Sequence, residues 1–138
     1  CCADPQVLEY YYKVNYQNNR PNFTLTRTIG YLSDYEKPIN KFEQEIPFII
    51  QNDEAKLRND CYELNTLHPF YGTNGNILNT YKKGDKGIAI AHKIENGTQW
   101  VYVLMAKKMI VGETDFYTFR EQEIELYGWL KKRETNLK

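Results

Sequence analysis

Cys61 and His68 lie close in the chain, and a thiol beside an imidazole is the pair a cysteine nucleophile requires, with the imidazole drawing off the thiol proton. Proximity in sequence does not establish contact in space, so the pair assigns no reaction. Glu121, Glu123 and Glu125 recur at every second position. On a strand they share one face, where plain solvation accounts for them more simply than acid–base work. The chain has no Gly-x-Ser-x-Gly turn, no phosphate-cradling glycine loop and no His-Glu-x-x-His. With His68 and His92 as the only histidines and no Cys-x-x-Cys, neither zinc nor any other cofactor is expected. The chemistry reads as that of a non-enzyme.

The three cysteines point elsewhere. The sequence opens on Cys1, and Cys1-Cys2-Ala3-Asp4 resembles the start of a mature bacterial lipoprotein, in which signal removal leaves a cysteine whose thiol takes a diacylglycerol. An artificially trimmed terminus is the equal alternative. If Cys1 is lipidated, Cys2 and Cys61 remain as a disulfide pair in an oxidising compartment. That bridge would close a loop of about 60 residues and contribute roughly 3–4 kcal/mol in the chain-entropy model. Free thiols in a cytosolic protein are the other reading. No apolar run is long enough to span a bilayer, so any membrane contact is expected only through a lipid on Cys1, as an exported, periplasmic or membrane-anchored protein. The sequons at Asn22 and Asn96 would matter only in a eukaryotic secreted protein.

Charge supplies little steering. Eighteen basic and eighteen acidic residues cancel, which removes the overall field that would draw the chain onto nucleic acid. Residues 1–74 carry seven Lys/Arg against ten Asp/Glu, and 75–138 carry eleven against eight, an asymmetry too mild to identify a partner. Lys82/Lys83, Lys107/Lys108 and Lys131-Lys132-Arg133 are most simply solubilising charges beside strands.

The elements that must position these groups read as β-structure. A chain of 138 residues fits one ordinary domain or two very small ones, and its twelve Tyr and thirteen Asn favour strands joined by turns. Leu8, Tyr10, Tyr12, Val14 and Tyr16 alternate on one face, as in a strand with one covered side. Residues 17–22 are dense in turn formers, and 23–29 alternate again, which predicts a hairpin with a long loop. Pro47 within 42–51 suggests an edge strand or a bend. Residues 52–60 are polar and compatible with one short helical turn capped by Asp53. Asn96-Gly97 is a type I′ hairpin dipeptide. Counting back from it pairs His92, Ile90 and Ile88 with Val101, Val103 and Met105 on one face, and Lys93, Ala91 and Ala89 with Trp100, Tyr102 and Leu104 on the other. Both faces are apolar near the base, which suits a sheet curling into a small barrel.

Leu64-Asn65-Thr66-Leu67-His68-Pro69, Ile77 to Lys86, Trp100-Val101-Tyr102-Val103 and Tyr127-Gly128-Trp129-Leu130 resemble, in order, the landmarks of bacterial SH3-like (SH3b) domains. This chain departs from the pattern in carrying Leu67 where an Arg is usual, a shorter loop before Pro69 and a longer stretch from Ala106 to Ile124. The resemblance implies an all-β fold: a small SH3-like barrel over 61–138, behind a tail at 1–6 and an N-terminal β-hairpin extension at 7–60. It also implies a non-catalytic binding module of the cell envelope, for peptidoglycan or peptides. Candidate ligand contacts are Tyr71, Tyr81, Trp100, Tyr102 and Trp129, with Trp129 expected to be partly exposed. Phe116, Tyr117 and Phe119 could line a groove, although core packing is the simpler account. A periplasmic inhibitor or immunity protein that binds a secreted toxin or wall hydrolase is the alternative function.

Overall fold

Alternation of Tyr10, Tyr12, Val14 and Tyr16 with Tyr11, Lys13 and Asn15 is realised as β1 (Gln6–Gln17), the first of eight strands in a computed structural model that describes residues 6–32, 38, 40–65, 76–110 and 122–138. The others are β2 (Arg20–Leu32), β3 (Lys41–Ile49), β4 (Glu54–Arg58), β5 (Ile77–Lys82), β6 (Lys86–Glu95), β7 (Thr98–Met109) and β8 (Glu123–Lys131). A 3-10 turn at Lys132–Glu134 follows β8. The fold is all-β, a curled half-barrel carrying a hairpin.

All eight strands belong to one sheet. Its main path runs β1-β2-β8-β7-β6-β3, with β4 pairing both β5 and β8. The half-barrel curls because β8 is shared. It lies antiparallel to β7 along most of its length, meets β4 at Arg58↔Trp129, and takes β2 in parallel at Ile29↔Glu125 and Gly30↔Leu126. Close approach at the β4 crossing depends on Gly128, where a Cβ would stand 2.7 Å from Leu57 Cγ and 2.8 Å from the Arg58 carbonyl oxygen.

Alternation sorts side chains between two faces. Leu57, Leu78, Tyr81, Ala89, Val101, Val103, Met105, Ile124, Leu126 and Leu130 pack inside the curl with Phe48 and Ile50. On the outer face Trp100 and Trp129 form a second, smaller cluster with Cys61, and Tyr102 packs against it.

Four expectations are corrected. Residues 54–58 form a strand in place of a helical turn, because Ala55 and Leu57 alternate into the core, a period a helix could not satisfy. The first hairpin has a two-residue turn, not a long loop: Asn18 and Asn19 both take positive φ (50° and 59°), so Gln17 pairs directly with Arg20. Asn96-Gly97 turns as expected, with φ of 48° and 76°, and the register counted from it holds through His92 and Ala91. Beyond Ala91 an extra residue, Ile90, breaks the ladder, so Ala89 opposes Val103 and Gly87 opposes Met105. The bulge directs the small residues Gly87 and Ala89 inward, leaving room for Phe48. Finally, Trp129 is buried at 5 % exposure, because the segment after β4 brings Cys61 against it.

Candidate binding surface

Most of the expected contact residues serve packing. Tyr81 is fully buried among the inward core residues, and burial raises its phenol. Trp100 and Trp129 are buried with Cys61. Tyr71, His68, Phe116, Tyr117, Phe119, Cys1 and Cys2 lie outside the described residues. Cys61 itself carries a free, buried thiol, pushed up to about 12 chiefly by burial and then by Asp60. A thiol so reluctant to ionise is a poor nucleophile.

Of the four described candidates, Tyr102 alone keeps partial exposure. Its ring lies parallel to that of Tyr127, with centroids 5.8 Å apart, and Tyr127 meets Tyr31 edge-on at 6.3 Å. These three rings make a half-open aromatic ledge across β7, β8 and β2. Burial pushes the Tyr102 phenol up to about 12 and raises Tyr127 as well. Both therefore stay neutral near physiological pH and offer ring faces and hydroxyls, not charge.

Beside the outer cluster lies a buried polar knot that no local pattern in the chain signals. Arg58, 3 % exposed, donates to Asn76 Oδ1 at 2.8 Å and to Asn65 Oδ1 at 2.9 Å. Asn76 also donates to the Tyr62 carbonyl at 2.7 Å and accepts from the Leu64 amide at 3.2 Å. Lys131 donates to the Glu63 carboxylate, which is held below its usual range by that bond first and by the nearby cations next. The knot fastens residues 59–65 over the outer face, a structural task. A shallow cleft of about 430 Å³ near the Asn96-Gly97 turn, lined by Gln51, Gln99, Lys132, Arg133 and Lys138, collects the terminal basic residues.

Among the described residues, the most open apolar surface is on the first hairpin. Ladder partners point to the same side of a sheet, so the β1–β2 register assigns every side chain to a face. One face carries Leu8, Tyr10, Tyr12, Val14 and Tyr16 from β1 with Pro21, Phe23, Leu25 and Thr28 from β2. It holds no charged residue. The phase is kept by a bulge at Thr26, whose hydroxyl donates to the Tyr11 carbonyl at 3.0 Å. The opposite face is polar and rooted: Arg27 pairs with Glu125 of β8, and Glu9 accepts from Tyr11 at 2.8 Å and from Tyr31 at 2.9 Å.

Among the described residues, nothing supplies the expected cover over the first strand's apolar face beyond Leu8. Leu8 packs against the inner core, but further out Tyr16 is 75 % exposed, Phe23 62 % and Tyr12 54 %. The reason is topological. β2 is paired with β8 at Ile29 and Gly30, and among the described residues no third strand flanks the hairpin from Tyr10 outward. It extends as a two-stranded arm whose apolar face continues the inner face of the half-barrel. With aromatic side chains contributing roughly 150–250 Å² each when fully open, the exposed part amounts to about 600 Å². That is near the upper end of the largest patch on an ordinary monomer, and approaches one side of a standard protein interface. No family model matches this chain, and no match was found among curated proteins or solved structures.

Proposed function

We propose that this chain is a non-catalytic protein-binding module of the bacterial cell envelope, and that the uncharged face of its hairpin arm is what the partner covers. One observation carries the reading: Tyr10, Tyr12, Val14, Tyr16, Phe23 and Leu25 form a continuous apolar surface held out in solvent on a rooted scaffold. A surface of this kind is stabilised by docking against an apolar complement, which proteins supply. Within the two functions the sequence suggests, this favours a protein target such as a secreted toxin or wall hydrolase. The half-barrel then serves as the mount, and a lipid on Cys1 would hold it at the membrane.

Peptidoglycan binding is the second reading, favoured by the half-open ledge of Tyr31, Tyr127 and Tyr102, since aromatic ring faces can stack on sugar rings. The two separate in one experiment. Wild-type chain and a Tyr12→Thr/Tyr16→Thr/Phe23→Thr variant are titrated against purified wall hydrolases and co-sedimented with purified peptidoglycan. Threonine keeps strand propensity while removing the aromatic surface. The protein-binding reading expects a saturable hydrolase complex that the variant weakens at least about tenfold, as loss of central aromatic anchors does. Saturable retention on peptidoglycan that the variant keeps, with no protein complex, would replace it with the wall-binding reading.

A further inference from the structure

We propose that β1 also pairs edge to edge with β1 of a second copy of this chain, antiparallel about a twofold axis at Tyr11, joining two arms into one four-stranded sheet. This rests on the reading of the arm as a binding element, but it uses the strand's edge, whereas the protein partner uses its face.

The two outer strands of the main sheet are finished differently, and β3 is also covered at its end, where Ile49 exchanges hydrogen bonds with Asn136. β3 is blunted in the ways edge strands commonly are: Lys41, Glu43 and Glu45 are exposed, Pro47 removes a donor, and the ladder to β6 breaks between Lys41 and Ile46. β1 has few of these devices from Tyr10 to Gln17. Its one charge there is Lys13, it has no proline, and the hairpin's bulge sits on β2, leaving the outer edge of β1 regular. Among the described residues no strand pairs with that edge, which offers a row of backbone donors and acceptors. A two-stranded ribbon is marginal by itself, and three or more strands over an apolar face are needed for independent stability. The arm beyond Tyr10 is such a ribbon, and a second arm supplies the missing strands.

The side chains select the register. With Tyr11 on the axis, Glu9 stands opposite the copy's Lys13 and Lys13 opposite its Glu9, while Tyr10 meets Tyr12 and Leu8 meets Val14. Opposite charges, aromatic pairs and aliphatic pairs all coincide, the combinations that favour cross-strand neighbours. Moving the axis to Glu9 or to Lys13 sets like charges face to face. The arrangement is isologous, so it closes at two copies and leaves no β1 edge for a third. The uncharged faces of both arms then lie side by side, doubling the surface open to the protein partner.

Sedimentation velocity of the full chain over roughly 1–100 µM tests this, a range that spans micromolar dissociation constants. Wild type is expected to pass from monomer to dimer and no further. Lys13→Glu, on the exposed polar face, sets like charges at both ends of the register and is expected to weaken the dimer at least about tenfold. Glu9→Lys does the same by itself. An equimolar mixture of the two variants should recover a dimer, because one chain is then positive at both positions and the other negative; circular dichroism checks that each variant keeps the wild-type fold. A wild type that stays monomeric throughout, or a dimer that Lys13→Glu leaves unchanged, overturns the proposal. Neither result bears on the arm's apolar face, whose role is read separately from the Tyr12/Tyr16/Phe23 variant.

Discussion

Gly128→Ala adds one methyl group at the point where β8 meets β4, and the structure fixes what that methyl would strike. Its Cβ would lie 2.7 Å from Leu57 Cγ, 3.0 Å from Leu57 Cδ1 and 2.8 Å from the Arg58 carbonyl oxygen. Leu57 is fully buried, and the carbonyl is backbone, so neither yields unless the strands separate. Overpacking a tight core costs about 1–3 kcal/mol, and a contact with immovable backbone belongs in the upper half of that range. For a chain of this length each kcal/mol lowers Tm by roughly 3–5 °C, so a fall of roughly 6–15 °C is expected. Two other glycines serve as comparisons. A Cβ on Gly87 would meet side-chain atoms only, Phe48 Cζ at 2.7 Å and Met105 Sδ at 2.9 Å, and these can shift, so Gly87→Ala should cost less. Gly97→Ala meets nothing within 4 Å but holds φ at +76°, which alone costs about 1–2 kcal/mol. Thermal and urea unfolding followed by circular dichroism gives the order. If Gly128→Ala falls within about 0.5 kcal/mol of wild type, the closure of β8 on β4 is not as described.

Three further outcomes are expected. Glu63 has a lowered folded-state pKa, so its ion cluster contributes fully above its unfolded value of about 4.3 and is lost as pH falls through the folded value. Glu63→Gln should therefore cost about 1–2 kcal/mol at neutral pH, discounted because half of the Glu63 side chain is exposed, and should flatten the acid limb of the stability curve; an unchanged limb contradicts this. Asn19→Gly places the residue best suited to positive φ in the arm's turn, and is expected to add about 0.5 kcal/mol and slow amide exchange in Tyr12–Leu25; faster exchange would argue against the two-residue turn. Cys61, buried and hard to ionise, should resist iodoacetamide at pH 8 in the folded chain and react after denaturation, as peptide mapping by mass spectrometry would report; rapid native alkylation contradicts the packing of Trp100 and Trp129 over it.

The all-β class was legible because period-2 alternation and the Asn-Gly turn are local signals. The β6–β7 register held from Asn96-Gly97 to Ala91 for the same reason, and failed at Ile90 because a bulge is set by the curl of the whole sheet. Residues 54–58 were misread because Glu54, Lys56 and Arg58 made the segment look polar, while the apolar members Ala55 and Leu57 were too few to stand out. The aromatic contact residues could not be sorted by composition. Tyr81, Trp100 and Trp129 are as suited to a core as to a groove, and only the strand faces decide. The arm's alternating pattern was plain in the sequence, but it signals only that one face is apolar. Its openness follows from β2 leaving β8 after two paired residues, a property of topology.

Binding of a protein partner to the uncharged face of the arm can be read by face-resolved photo-crosslinking in the host cell. A photoreactive phenylalanine analogue is placed in turn at Tyr12 and Phe23 on the apolar face, and at Lys13 and Asn22 on the polar face. One discrete protein adduct, besides any self-adduct, is expected from both apolar positions and from neither polar position. Adducts of equal yield from both faces, or none from Tyr12 and Phe23, would contradict it.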